Sequence, residues 1–295
     1  MLPTFLIVAI LPPSPIMKVI DAHHHLWKYS PSEYAWMDGK PVLQSDQLIP
    51  QLSKIAVENG VNGFVTVQAR QSIEETAWLL DLAKQTKLIR AVVGWVPLCD
   101  SEKLSECIDR FNADKMLKGV RHVVQDEPDD SFILGREFNR GIAALAGTGW
   151  TYDILIYGKH LTNTVAFVDI HPNQPFVLDH IAKPTIDGQN FDHQWAAGIR
   201  ELAKRSNVTC KFSGVATEVR DASWSVQKIR PYWDVALEAF GAERLMYGSD
   251  WPVCLLRTSY SDWKAAVAQL ASELSTSEQQ AFWSGNPIRA YSMNA

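Results

Sequence analysis

Three histidines and an aspartate stand where apolar runs of the chain give way to polar residues: His23 and His25 in DAHHHLW, His180 in VLDHIAKP and Asp250 in RLMYGSDWPV. Successive side chains of an extended segment alternate between its faces, so His23 and His25 point one way and His24 the other. Two imidazoles converging with a carboxylate can take a proton from water, stabilise an oxyanion or hold a divalent ion. Each feature alone has a plainer explanation. Histidines at a strand end are often satisfied by ordinary hydrogen bonds, and an aspartate before Trp251-Pro252 can cap a loop. Four such groups at like positions, with Asp179, Lys183 and Pro184 clustered around His180, make one shared site the better reading.

Sites of this kind need strands that end together. Short β-rich apolar runs recur at 18 to 23, 61 to 68, 89 to 96, 118 to 124, 151 to 157, 175 to 180, 208 to 214 and 244 to 250, with helical segments between them. That alternation is the pattern of βα units carrying a parallel sheet, and eight runs match a single (β/α)₈ TIM-type barrel, in which chemistry sits at the C-terminal ends of the strands. SIEETAWLLDLAKQT exemplifies a helix: Ile73, Ala77, Leu80 and Lys84 keep a helical spacing, and Ser72 with Glu75 offers a capping box. The segment SEQQAFWSGNPIRAYSM reads as a closing helix with a cap region at Ser277 and a turn at Gly285, its Asn286, Arg289 and Tyr291 structural. The connection LWKYSPSEYAWMDGKPVLQSD is rich in aromatic and turn-forming residues and is expected to cover the barrel mouth, where Trp27, Tyr34 and Trp36 would either stack on a ligand or close the rim.

The whole chain agrees with a globular enzyme. Its 295 residues suit one large barrel, 46% of them are apolar, and a net charge of -5 without a clustered basic face argues against a nucleic-acid partner and for a small-molecule substrate. The four cysteines lie far apart, without the spacing of a thiolate zinc site or a disulfide framework, which suits a reducing cytoplasm. Residues 1–16 are apolar but lack a basic start and are too short to span a bilayer, so they read as a loose arm or a mis-called start before a domain over 17–295 that has no membrane association. A homo-oligomer is compatible with all of this.

With these residues in hand, the chain resembles the amidohydrolase superfamily, in its amidohydrolase-2 branch, over almost all of residues 17 to 295. GVRHVVQDEPDD, LDHIAKP, CKFSGVATE and YGSDWPVC are similar to the sugar lactonases of that branch, the L-fuconolactonases and L-rhamnonolactonases, themselves related to 2-pyrone-4,6-dicarboxylate lactonase. The resemblance implies a hydrolase that opens an aldonolactone to its aldonic acid. Asp250 would be the general base, and His23, His25 and His180 would polarise the carbonyl directly or through a metal.

The chain departs from dinuclear members of the superfamily. The fourth run ends in RHVVQD without a bridging lysine carboxylate, and the fifth ends in DILIYGKH, with Tyr157 where those members place a histidine and His160 further on as a structural residue. What remains suffices for one metal at most, on His23, His25 and Asp250, or for none; the expectation is that no ion is strictly required, and that zinc or manganese is the alternative. Arg121, Trp27, Tyr157 and Gln125 are expected to contact substrate, with Lys211 and Arg70 as weaker candidates. A metal-dependent decarboxylase and a non-catalytic sugar-acid-binding barrel are the rival readings. The first would want the missing strand-five histidine, and the second would not need the intact histidine and aspartate set.

Overall fold

Eight short strands form one parallel sheet whose neighbours run in chain order: β1 Ile20–His24, β2 Gly63–Val67, β3 Ile89–Gly94, β4 Leu117–His122, β5 Thr151–Ile154, β6 Phe176–Leu178, β7 Val208–Phe212 and β8 Leu245–Tyr247. All eight lie within or beside the expected runs, but most end one to three residues sooner. The computed structural model describes residues 17–294; the expectation of an arm or mis-called start over 1–16 lies outside the described residues. The strands carry almost only buried residues because the sheet is covered on both faces, by side chains inside the barrel and by helices outside.

The outer layer contains α1 Ile49–Asn59, α2 Ile73–Gln85, α3 Ser101–Phe111, α4 Arg136–Ala144, α5 Leu161–Ile170, α6 His193–Leu202, α7 Val226–Phe240 and α8 Tyr260–Ala271. Among the described residues no helix is long and apolar enough to cross a membrane. The helix α2 begins as its sequence demands, with the Ser72 hydroxyl accepting from the Glu75 N–H at 3.3 Å. The reciprocal half of the capping box does not form. The Glu75 carboxylate instead accepts from the N–H groups of Ala69 and Arg70 and from the Tyr34 hydroxyl, tying the β2 loop to the long first connection.

Two aspects of the barrel bear on the site. The pairing of β1 with β2 slips between Asp21 and His24. Alternation sets Ala22 beside Ile20 in the cluster filling the barrel, and the slip lets His23 face inward as well, among Arg121, Asp179 and Lys211. Such a slip re-aims side chains next to an active centre. The seam between first and last strands closes through residues beyond β8, with the Asp250 N–H donating to the His23 carbonyl at 2.8 Å and the His25 N–H to the Trp251 carbonyl at 2.7 Å.

The chain end differs from expectation. Ser275, not Ser277, caps the helix Thr276–Gln280, in a box with Glu278. The chain then continues through a wide helical turn, Ala281–Gly285, into Asn286–Ala290, so Gly285 does not break it. Tyr291 and Met293 plug the bottom of the barrel against Ile20, Val65, Ala91 and Val177.

Candidate active site

At the C-terminal ends of the strands a cavity of about 440 Å³ is lined by His25, Gln68, Arg121, Gln125, Tyr157, His180, Lys183, Glu218 and Asp250, with Trp36 and Lys40 of the first connection at its mouth. His23 lies just beneath, fully buried. The side chains of His23, His25, His180 and Asp250 meet here: Asp250 Oδ1 stands 3.3 Å from His25 Nε2, 3.7 Å from His23 Nε2 and 3.9 Å from His180 Nε2.

Hydrogen-bond partners fix the tautomers of the pair. The Nδ1 of His25 lies 2.8 Å from the Val67 carbonyl oxygen, which can only accept, so Nδ1 carries a proton and, in the neutral ring, Nε2 presents a lone pair. His23 Nδ1 faces the Asp179 carboxylate at 3.2 Å, while its Nε2 receives Arg121 Nη1 at 3.3 Å. The two Nε2 atoms are 3.2 Å apart, and Arg121 Nη1 reaches that of His23 alone. The Arg121 N–H offsets the repulsion of the two lone pairs on the His23 side alone, and a cation between the nitrogens would offset it on both. With Asp250 Oδ1 they form a three-donor set of the type that takes a divalent ion, their ligand atoms within 4.8 Å of one another. A second grouping, His23, Asp179 and His180, meets the same distance criterion. It suits an ion poorly, because Arg121 and Lys211 already lie 2.9 Å from the Asp179 oxygens.

Beneath the pair lies a buried ionic network. Lys211, on β7, reaches Asp153 at 2.6 Å and Asp179 at 2.9 Å, and the Tyr291 hydroxyl donates to Asp153 at 2.7 Å. Lys211 also stands 3.2 Å from His23 Nδ1, since both donors aim at Asp179. Two cations and two carboxylates cancel, as buried charges must. Burial works to raise the Asp179 carboxyl, but Lys211, His23 and Arg121 outweigh it and hold it well below the usual range. Burial also lowers His23 well below its ordinary value, against the pull of Asp179, and takes His180 down to about 4. Asp250 is lowered too: burial opposes its ionisation, and the surrounding His180, His25 and Lys183 more than offset that.

Backbone strain marks the same residues. His180, Ile181, Ala182 and Lys183 adopt φ of 53°, 47°, 59° and 47°, a left-handed turn of four non-glycine residues, and Asp250 has φ 58°. Each such residue costs on the order of 1–3 kcal/mol, held only where packing over-determines it. The turn is pinned by Trp195 Nε1 donating to the Ile181 carbonyl at 2.6 Å. Gly214, at φ 65°, lets the β7 loop press on the site, for a Cβ there would stand 2.8 Å from His180 Nδ1 and 3.0 Å from Asp250 Oδ2.

The other expected residues divide. Arg121, Tyr157 and Gln125 line the cavity, although Arg121 has committed Nη1 to Asp179 and Nη2 to the Gln68 carbonyl. Trp27 does not line it: fully buried, it donates to the Ser45 carbonyl at 2.8 Å and packs with Tyr34, Met37 and Leu43, leaving Trp36 as the aromatic residue at the mouth. Arg70 lies off the cavity, paired with Glu33 and Glu75. Buried His160 faces Asp130, and His24 bonds Thr66 at 2.7 Å, both structural. Gln68 and Glu218 line the cavity and were not expected. Gln68 directly follows β2, so the strand-end rule that singled out Asp250 points to it equally.

A family model described as amidohydrolase matches residues 20–293. The chain is 38% identical over 288 residues to an L-fucono-1,5-lactonase of Burkholderia multivorans, covering 93% of this chain and 96% of the relative. It is 34% identical over 254 residues to an L-fucono-1,5-lactonase of Burkholderia ambifaria, covering 84% and 85%. A crystal structure of an amidohydrolase from Burkholderia multivorans with bound zinc superposes with a TM-score of 0.89 at 37% identity, over 94% of this chain and all (100%) of that one.

Proposed function

The chain belongs to the amidohydrolase family, and from that premise we propose that it hydrolyses a sugar lactone, of the L-fuconolactone or L-rhamnonolactone kind, to the aldonic acid. The observation that carries the reading is the convergence of His23, His25 and Asp250 at one end of a cavity large enough for a single sugar ring. The activity named for relatives 38% and 34% identical over the aligned residues supports the choice of substrate.

Asp250 is the general base in this reading. Its Oδ1 turns to the histidines, and its Oδ2, packed beside Gly214, would take the proton of water. As that proton leaves, the water oxygen bonds to the lactone carbonyl carbon. The ring C–O bond then breaks, and the ring oxygen leaves with the proton that Asp250 had taken. The acid formed ionises into the medium. Arg121, 4% exposed at the cavity floor, sets a positive charge beside the developing oxyanion.

Of the two routes open to the histidines, the tautomers favour the ion. His23 and His25 present lone pairs, not N–H groups, to the cavity, so neither can donate to a carbonyl as it stands. A single divalent ion held by His23, His25 and Asp250 would supply Lewis acidity to that carbonyl. His180, lowered to about 4, stays neutral at physiological pH and steers the Asp250 carboxylate.

The test is a pH-indicator assay of the purified protein against a panel of aldonolactones. Opening of L-fucono-1,5-lactone or a close stereoisomer above the uncatalysed rate supports the reading. Inertness toward every aldonolactone, in protein loaded with zinc or manganese, overturns it.

A further inference from the structure

Glu218 is a carboxylate whose surroundings do not account for it. It ends a short helical turn, Val215–Glu218, is 8% exposed and lines the reaction cavity. Its nearest cation, Arg220, stands 3.8 Å from Oε2, too far for a hydrogen bond, on a side chain 61% exposed to water. Thr217 beside it spends its one hydroxyl proton on the Gly214 carbonyl. Burial raises Glu218 above the usual carboxylate range, and Asp250 adds to that, against the pull of Lys183, Arg220 and, least, the Thr217 hydroxyl. Folding has placed a charge where it is costly and left its oxygens short of donors.

Its position is not incidental. At one end of the turn Gly214 packs against His180 and Asp250. Past the other end, the Arg220 N–H donates to the Ile186 carbonyl at 2.7 Å, and Ile186 bridges Val219. Ile186 follows the left-handed turn that carries His180 and Lys183. The β6 and β7 loops thus lock together, with Lys183, its ammonium 5.6 Å from the Tyr157 ring centroid, lining the same cavity.

We propose that Glu218 is the hydroxyl-reading residue of the cavity, its two carboxylate oxygens accepting from adjacent ring hydroxyls of a polyhydroxylated lactone and so selecting such rings over bare ones. The proposal rests on the sugar-lactone reading above. A diol supplies the two donors the carboxylate lacks, and on closing over the ring the cavity would otherwise leave the charge without water. Selection by this device is strong, since a ring without hydroxyls leaves the carboxylate unpaired.

The experiment compares wild type with Glu218→Gln and Glu218→Ala. Kinetics use L-fucono-1,5-lactone and unsubstituted δ-valerolactone, and calorimetry measures binding of L-fucono-1,5-lactam, which keeps the hydroxyls and is not opened. Both variants are expected to favour the hydroxylated lactone at least about tenfold less than wild type does, mainly through KM, and to bind the lactam at least about tenfold more weakly. Their thermal midpoints are expected to equal or exceed that of wild type, because an under-compensated charge has gone. If no lactone is opened but the lactam binds in a Glu218-dependent way, the hydrolase reading falls and the subsite stands. Equal lactam affinity in all three proteins, no lactam binding to wild type, or an unchanged preference between the two lactones would overturn the proposal.

Discussion

The backbone N–H of Asp250 donates to the carbonyl of His23 at 2.8 Å. One of the two hydrogen bonds that close the barrel thus also sets the spacing of the proposed base from its histidines. Asp250 reaches that place in a left-handed conformation, φ 58°, which turns the chain into the cavity directly after β8.

Asp250→Asn keeps the shape and the seam but removes the base. The turnover number is expected to fall about 10²–10⁴-fold with KM little changed, since a general base acts in the transition state. Steady-state kinetics with an aldonolactone decide it, and wild-type turnover in the variant would move the base elsewhere, with His180 next in line.

Gly214→Ala is expected to damage the site beyond its cost in stability. The added methyl carries the ordinary penalty of a left-handed backbone, on the order of 1 kcal/mol or more, and presses on His180 and Asp250 at 2.8 and 3.0 Å. Gly60→Ala is the control, left-handed at φ 61° and with nothing within 4 Å of the added methyl. Both variants should lose similar backbone stability in denaturant melts, while only Gly214→Ala should lose at least about tenfold in turnover. Equal activities would show that the close approach does not matter.

Much of this was readable from the chain because apolar β-rich runs need both faces covered, which identified the eight strands, and because polar residues just past such runs mark a barrel mouth. His180 and Asp250 were found that way. Trp27 was misplaced because its aromatic bulk fits a rim and a ligand platform equally, and the hydrophobic pocket of Tyr34, Met37 and Leu43 drew it inward. Lys211 was ranked low since a lysine in an apolar run gives no hint of the two carboxylates, on β5 and just past β6, that meet it only in the closed barrel. The half-formed box at Ser72 failed for a similar reason, as Tyr34 claimed Glu75 from 41 residues away.

Acid sensitivity should be traceable to single buried histidines. Burial, with a smaller contribution from His25, holds His24 well below its ordinary value of 6.5. Below pH 6.5 the unfolded chain therefore binds a proton that the folded one refuses, and stability is lost as pH falls through that range and is fully present above it. His24→Gln should flatten the dependence of unfolding free energy on pH between 6 and 5 by about 1.4 kcal/mol per unit. Denaturant titrations at both pH values measure it, and parallel profiles for variant and wild type would refute the assignment.

Removing divalent ions is expected to cost activity, and the reason lies in where protons can go. With His25 Nδ1 tied to the Val67 carbonyl and His23 Nδ1 to Asp179, a metal-free site must either hold a proton between two Nε2 atoms 3.2 Å apart or leave their lone pairs opposed, with the Arg121 N–H reaching that of His23 alone. Burial lowers His23 well below its ordinary value, with Lys211 adding to it, so the proton is a poor solution. Arg121 and Lys211 are balanced by Asp179 and Asp153, which leaves the Asp250 carboxylate to balance an ion at that point. Protein stripped with a strong chelator and shown metal-free by elemental analysis should lose most of its turnover and regain it with zinc or manganese. Zinc should also raise the thermal midpoint of the stripped protein, as a ligand of the folded state alone must, and should do so much less in His25→Ala. Full turnover in the verified metal-free protein would return His23 and His25 to direct catalytic work and leave the ion without a role.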